Sequence, residues 1–557
     1  MAIRKVYQFG LLTLVVSLVT VAASAQSFRV QCPTSTITHP IAADNNSEPA
    51  YSGATTYTTN ASGFQVPASN VNGAIKCQQI SGGDGYASMG DGTQTYMFSF
   101  GPLSGLANIA KGLPGTVSPT EFNTPYSGAT LQPGEPATTD DATPGAFTYN
   151  GAIGQVPDVD RFIDPVTGVS QCLGTNPPAK CFDGHVDPRQ MLDVGVMNGN
   201  IPAPLMAIDE DDEFFLTLSN VGMIMRPDLF EQHTVHFHGY PNASSFYDGV
   251  PDASVAINIG GSFTYYYLAP DAGTYFWHCH ITPPEHLQMG MVGQIYVRPR
   301  QNRVSAATTL TAALLAQQRD LRTACRRPGD GAMPAVTAAP DILCSNPVPA
   351  SPSTATGGGM YAYNDGDGST YYDVEYPLQI HGFDPNFHFV GMTFNPEGFT
   401  DMKDKYFLLN GRSYPDTVTT GPLETVSADG VNHYSQPLPS IINITAGQKA
   451  LLRISDLDVT EYQTLASLGI RMHVIGYNAK LLRDQAGNNL DYYTNSITLA
   501  GGESLDVILD ACAARATNGS CTTPMAPGTF YLYTPNLDHL SNDAENFGGL
   551  MTEIHIN

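Results

Sequence analysis

Six histidines and a cysteine of this 557-residue chain fall between residues 233 and 291, although the whole chain holds only fourteen histidines. His233-Thr-Val-His236-Phe-His238-Gly opens the stretch, and His278-Cys279-His280, His286 and Met291 close it. A thiolate, two imidazoles and a thioether are the ligand set of a blue-copper centre: sulfur holds Cu(I), imidazole suits both oxidation states, and a weak axial Met tunes the potential. Cys279, His286, Met291 and His233 supply that set. Zinc is the rival metal, but structural zinc sites usually offer paired cysteines at short spacing and no methionine.

Strand alternation argues for a second metal behind the first. Successive side chains of a strand point to opposite faces, so His278 and His280 point away from any metal held by Cys279. His236 and His238 share a face for the same reason, with His233 on the other. Four histidines, His236, His238, His278 and His280, thus gather as a candidate second copper centre, one bonded step from the first. The open alternative is a set of imidazoles that only hydrogen-bond.

The elements carrying these residues read as strands. Glu213-Phe-Phe-Leu-Thr-Leu-Ser and Ser262-Phe-Thr-Tyr-Tyr-Tyr-Leu, bounded by Gly, Pro and Asn, recur as a pattern in Lys449-Ala-Leu-Leu-Arg-Ile and Ser504-Leu-Asp-Val-Ile-Leu. Short strands with frequent turns imply an all-β chain of β-sandwiches. Helix is scarce, the clearest candidate being Ala306 to Ala324.

At these motifs the chain resembles the multicopper oxidase and copper nitrite reductase superfamily. HTVHFHG is similar to the HxxHxHG signature, which implies type 1, type 2 and type 3 copper roles for His233, His236 and His238. GTYFWHCHITPPEHLQMGM resembles the second signature, implying type 3 roles for His278 and His280 and type 1 roles for Cys279, His286 and Met291. It departs by two extra residues between Cys279 and His286. NGNIPAP at 198–204, YDGVPDASVAINIGGSFTYYYLAPDAGTY at 247–275 and FLLNGRSYPD at 407–416 resemble framework segments. The resemblance implies two cupredoxin-like Greek-key β-sandwich domains with long irregular insertions. The expected order is a signal peptide at 1–25, an irregular extension at 26–90, a copper-binding domain at 91–300 with an insertion at about 103–190, a linker at 301–365, and a degenerate cupredoxin domain at 366–557.

The degeneracy is specific. A three-copper cluster takes eight histidines in four pairs, and this chain has two pairs. GTFYLYTPNLDH at 528–539 aligns with GTYFWHCHITPP, placing Tyr533, Thr534 and Pro535 where His278, Cys279 and His280 stand; RMHVIGYN keeps His473 with Ile475 at the partner position. Two first domains facing each other in a homo-oligomer restore eight histidines. Alternatively, His473 or His539 caps a mononuclear site on a neighbouring subunit, as in nitrite reductases, although Pro535 falls at that family's third type 2 ligand and His236 at its catalytic Asp. As a third option, the blue copper alone is occupied. The first arrangement implies pairing of first domains, the second a trimer.

Arg4 and Lys5, an apolar run from Leu11 to Ala23 and Ala23-Ser24-Ala25 read as an export signal, too short for a membrane anchor, so a periplasmic or extracellular protein with no later membrane span is expected. Setting Cys279 aside leaves eight cysteines, and proximity suggests the disulfides Cys32 with Cys77, Cys172 with Cys181, Cys325 with Cys344 and Cys512 with Cys521. With 25 basic against 51 acidic residues, a formal charge of -26, the surface repels nucleic acid and anionic lipid. Acid-rich solvated loops account for this charge, and the densest run, Asp209 to Glu213, reads as a turn.

The expected function is an exported copper-dependent oxidoreductase. The type 1 copper takes electrons from a small-molecule donor or a redox protein and passes them through Cys279 and its histidine neighbours to the second centre, completed between subunits, and on to dioxygen or another small acceptor. The alternatives are a nitrite-reductase-like enzyme and a non-enzymatic blue-copper electron carrier or copper-binding protein.

Overall fold

The computed structural model describes residues 30–51, 53–68, 72–123, 199–223, 225–239, 244–269, 271–318, 345–351, 353–392, 398–426 and 432–557. Its first sandwich is built from β1 (Ile75–Ser88), β2 (Gln94–Pro102), β3 (Met206–Asp209), β4 (Glu213–Gly222), β5 (His236–Phe237), β6 (Ser262–Leu268), β7 (Gly273–His278) and β8 (Val292–Arg298). One sheet runs β2-β1-β4-β6 and the facing sheet β3-β8-β7-β5. Alternation fills the space between them: Phe214, Leu216 and Leu218 of β4, Phe263, Tyr265 and Tyr267 of β6, and Tyr275 and Trp277 of β7 enter one core with Cys279, Met289 and Met291.

The second sandwich repeats the plan with β9 (Val374–Phe383), β10 (Tyr406–Leu409), β11 (Ile442–Ile444), β12 (Lys449–Asp456), β13 (Gln463–Leu468), β14 (Met472–Tyr477), β15 (Lys480–Leu481), β16 (Tyr492–Thr494), β17 (Ser496–Leu499), β18 (Glu503–Asp510), β19 (Gly528–Tyr533) and β20 (Met551–Ile556). Its sheets run β10-β9-β12-β18-β14-β15, with β16 on β14, and β11-β20-β19-β13-β17. The strand equivalence read from the sequence holds. β19 pairs antiparallel with β20 as β7 does with β8, and the Thr534 N–H donates to the Leu550 carbonyl at 2.9 Å where the Cys279 N–H donates to that of Met291 at 3.2 Å.

A mixed apolar cluster joins the sandwiches: Met97, Phe276 and Val292 of the first meet Phe383, Tyr406, Leu408 and Leu457 of the second. The Thr274 hydroxyl donates to Asp506 at 2.6 Å, and the Gln294 amide donates to the Arg453 carbonyl at 2.9 Å. Each such buried pair matters because a group left unpaired there would cost about 1–3 kcal/mol.

Four differences from the sequence reading have physical causes. β1 lies inside the stretch 26–90 expected to be irregular; its Gly82, Gly83 and Gly85 weaken the apolar pattern but admit neighbours, and a Cβ on Gly82 would stand 2.6 Å from the His233 ring. The acidic run does turn at Glu210 and Asp211 but is buried rather than solvated, because the Arg300 guanidinium grips Asp211 at 2.6 and 2.7 Å. The helix expected over 306–324 is formed over Leu310–Gln317, with 319–324 outside the described residues. Cys32–Cys77 and Cys512–Cys521 are bonded as expected, whereas Cys172, Cys181, Cys325 and Cys344 lie outside the described residues, as does the stretch 1–25. Among the described residues no helix is long and apolar enough to cross a membrane.

Gly82→Ala should push the His233 ring out of place. We expect a stability loss of about 1–3 kcal/mol in the metal-free protein, read by denaturant unfolding, whereas Gly528→Ala, whose added Cβ would meet nothing nearer than 3.8 Å, should cost less than half of that.

Candidate metal centres

β7 ends at His278, and its alternation continues into Cys279 and His280. Cys279 turns into the first core, fully buried, while His278 leaves on the opposite face with Phe276, towards the second sandwich. Around the Cys279 Sγ stand the Nδ1 atoms of His286 at 3.2 Å and His233 at 3.9 Å, and the Thr234 N–H points at it from 3.4 Å. Met291 is buried in the same core, and its backbone bonds both Cys279 and His286. The four residues expected to form the type 1 set are thus neighbours. Burial alone would push the Cys279 thiol up, but the two imidazoles hold it well below the usual thiol range. His286 is raised to about 10, since the thiolate and Glu231 outweigh its burial. A thiolate with two Nδ1 atoms aimed at it is the deprotonated form that a soft metal takes.

Three of the four rear histidines, His236, His238 and His278, bring ligand atoms within 4.8 Å of one another, and the His280 ring lies beside that of His236. The Nε2 atoms of His238 and His278 are 2.7 Å apart, and the His236 ring lies 5.0 Å from those of both His238 and His280. Two carbonyls set the tautomers: His278 Nδ1–H donates to the Cys279 carbonyl and His236 Nδ1–H to the Asp248 carbonyl, each at 2.7 Å. Each Nε2 then carries a lone pair, as metal-binding imidazoles held by a carbonyl do. Burial lowers His238 to about 4 and His278 to about 3, so both are neutral at pH 7 and able to bind a cation. The donor sets fit copper in both places.

His238 and His278 form one wall of a cleft of about 440 Å³ whose opposite wall is the second sandwich of the same chain, with Asp458, Thr460, Glu461 and Tyr462. The two candidates from the second sandwich fare differently from the rear four. His473 is held by Asp491 at 2.9 Å and stacked on Tyr493. His539 is buried and bonds Gln463 and Glu461, each at 2.8 Å, so it reaches the cleft only through Glu461. Neither belongs to a group of close ligand atoms among the described residues.

Sequence reasoning missed several residues. Glu231 covers the outer nitrogen of His286 at 3.5 Å, and its spacing of two from His233 is the signal that could have found it. Asp248 was inside a quoted framework segment but acts through its carbonyl, for which no side chain is a signal. Asp458 and Glu461 come from a loop over two hundred residues beyond His238, and nothing local announces them.

Neutral buried histidines make the metal-free protein acid-sensitive. The unfolded chain binds protons at these rings below about 6.5, whereas the folded chain resists until about 4 at His238 and about 3 at His278, so their stability contribution is present above pH 6.5 and lost as pH falls towards 4. His238→Gln with His278→Gln should flatten that limb of a stability-against-pH curve relative to wild type; parallel curves would show that the rings do not resist protonation.

A family profile described as multicopper oxidase matches residues 183–302, the stretch holding both clusters. Laccase abr2 of Aspergillus fumigatus is 34% identical over 119 residues, 21% of this chain and 18% of that protein. The copper-containing nitrite reductase of Rhizobium meliloti is 35% identical over 109 residues, 19% of this chain and 26% of that protein. The chain therefore matches about a fifth to a quarter of these relatives' own length. The blue copper oxidase of Nitrosomonas europaea superposes with a TM-score of 0.39 at 20% identity, over 64% of this chain and 78% of that one. Residues 183–302, which carry both histidine clusters, are thus similar to a multicopper oxidase domain.

Proposed function

We propose that the protein is a copper-dependent oxidoreductase in which Cys279 joins an electron-accepting site to a histidine-bound reducing site. The observation carrying this reading is the back-to-back placement of the two clusters: Cys279 Sγ faces two Nδ1 atoms, and the next residue in the chain on one side, His278, stands 2.7 Å from His238. Copper bound in these sites would supply one-electron exchange.

The chain's own residues do the rest. Glu231 sits on the outer edge of His286, the side nearest solvent, and marks where a small-molecule donor or redox protein delivers electrons. The Cys279–His278 peptide is the shortest bonded route to the rear histidines, and the hydrogen bond from His278 to the Cys279 carbonyl stiffens it. The cleft receives a small acceptor, dioxygen by the superfamily's chemistry. His236 and His280, half-buried and outside the cleft lining, are left for completion of the rear centre by another copy of the chain. The disulfides support an exported protein, since such bonds persist in oxidising compartments. Nitrite reduction is the weaker reading, because His236 occupies the position of that family's catalytic Asp.

Cys279→Ser should abolish an intense visible absorption in the copper-loaded protein; a retained colour would overturn the blue-copper assignment. His238→Ala with His280→Ala should keep the colour and lower turnover of a phenolic or metal-ion donor with dioxygen by at least a hundredfold, and unchanged turnover would remove the rear histidines from the reaction. Copper content and molar mass on one sample complete the test: more than one copper per chain in a multimer is expected, and one copper in a monomer would leave an electron carrier.

A further inference from the structure

The second sandwich has lost the metal-ligand positions yet grips the ligand loop of the first. The loop between Cys279 and Met291 contains α1 (Pro283–Gln288), and Gln288, its last residue, stands two places after His286 and three before Met291. Gln288 is fully buried, and its polar groups are taken up by the other sandwich. Its Nε2 donates to Asp404 Oδ1 at 2.8 Å, its Oε1 accepts from the Asp384 N–H at 2.9 Å, and its carbonyl lies 2.9 Å from His388 Nε2. Asp384 and His388 sit at the start and on the first turns of α2 (Pro385–Met392). The same helix places Phe387 in the core that holds Cys279, Met289 and Met291.

Asp404 is itself held in place. The Thr460 hydroxyl donates to it and reaches Asp458 at 3.0 Å, and Gln463 Nε2 donates to Asp458 at 2.6 Å. Burial, with the charge of Asp458 beside it, pushes the Asp404 carboxyl well above the usual carboxylate range. Asp458 lines the cleft opposite His238 and His278. An unbroken chain of hydrogen bonds therefore runs from the loop carrying His286 and Met291 to the far wall of the cleft.

We propose that Gln288 is a positioning residue: through it and Asp404 the second sandwich fixes where His286 and Met291 hold the soft metal, and so sets the redox potential of that site. The inference rests on the copper reading of the Cys279 cluster. A side chain with two polar ends docked on two partners, beside a third contact from its own carbonyl, leaves α1 no freedom to slide. Without it, the two ligands follow the metal's preference, and Cu(II) prefers tetragonal geometry over the site imposed by the fold. The oxidised form then gains.

The test uses the full-length copper-loaded protein and a one-electron redox titration with the visible and paramagnetic spectra recorded. Gln288→Ala and Asp404→Ala are expected to favour the oxidised form by about tenfold, 59 mV for one electron, and to move the intense visible band. Asp404→Asn should stay with wild type, because its amide oxygen accepts from Gln288 and its amide nitrogen donates to the Thr460 hydroxyl, which then gives its own proton to Asp458. A role confined to stability would lower the unfolding midpoint of the metal-free variants and leave potential and band unchanged, which would overturn the proposal. If Gln288→Ala does not fold, Gln288→Asn, one methylene too short to span the same partners, carries the same expectation and the same refutation. A wild-type protein with no intense band after copper loading fails the copper reading itself, whereas a wild-type band with unmoved variants fails this proposal alone.

Discussion

Everything in the site follows from the two-residue period of one strand. Along β7, Tyr275, Trp277 and Cys279 enter the first core, while Phe276 and His278 leave on the other face towards the second sandwich. With His278 next to Cys279 in the sequence, a thiolate in the apolar interior places an imidazole outside it one residue away. Shifting the register of β7 against β8 by one residue would exchange the two faces and dismantle both clusters together. Register is held by six paired positions from Val292–His278 to Val297–Gly273 and by the close fit of Gly293 under the Trp277 ring.

What was legible in the sequence is what depends on short separations. His236 and His238, or His278 and His280, announce their shared face because two residues apart means one side of a strand. Cys512 and Cys521 announce their bond because nine residues are easily closed. The degenerate motif was legible too, since Thr534 repeats the backbone hydrogen bond of Cys279 while offering no thiolate. Residues whose roles depend on distant partners were not. Nothing near Gln288 says that Asp404, 116 residues away, accepts its amide, and the acidic run reads as solvated until Arg300, 89 residues from Asp211, is folded against it. β1 was hidden for another reason: its glycines are there for neighbours to approach, and they erase the alternation by which a strand is recognised.

The second sandwich keeps the packing plan of the first with Thr534 where the first has Cys279. Its core needs only apolar residues at alternating positions, and these are intact from Leu378 to Ile556. Its junction with the first sandwich demands more. Asp404, Asp458, Gln463, Thr460 and His539 are tied into one buried or half-buried network in which almost every polar atom has a partner. Low local dielectric makes such a network costly to leave half-satisfied. A substitution there disturbs its neighbours as well as itself, so the surface facing the first sandwich is constrained where the lost ligand positions no longer are.

The cleft between the sandwiches has a consequence for traffic. At about 440 Å³ it has the volume of roughly fifteen water molecules at about 30 Å³ each. A gas, a small oxyanion or a single aromatic ring matches that volume. On the other side, Glu231 lies 3.5 Å from the outer nitrogen of the buried His286. In the proposed reaction a donor at Glu231 and a small acceptor in the cleft would arrive by separate doors, and the Cys279–His278 peptide would join their chemistries.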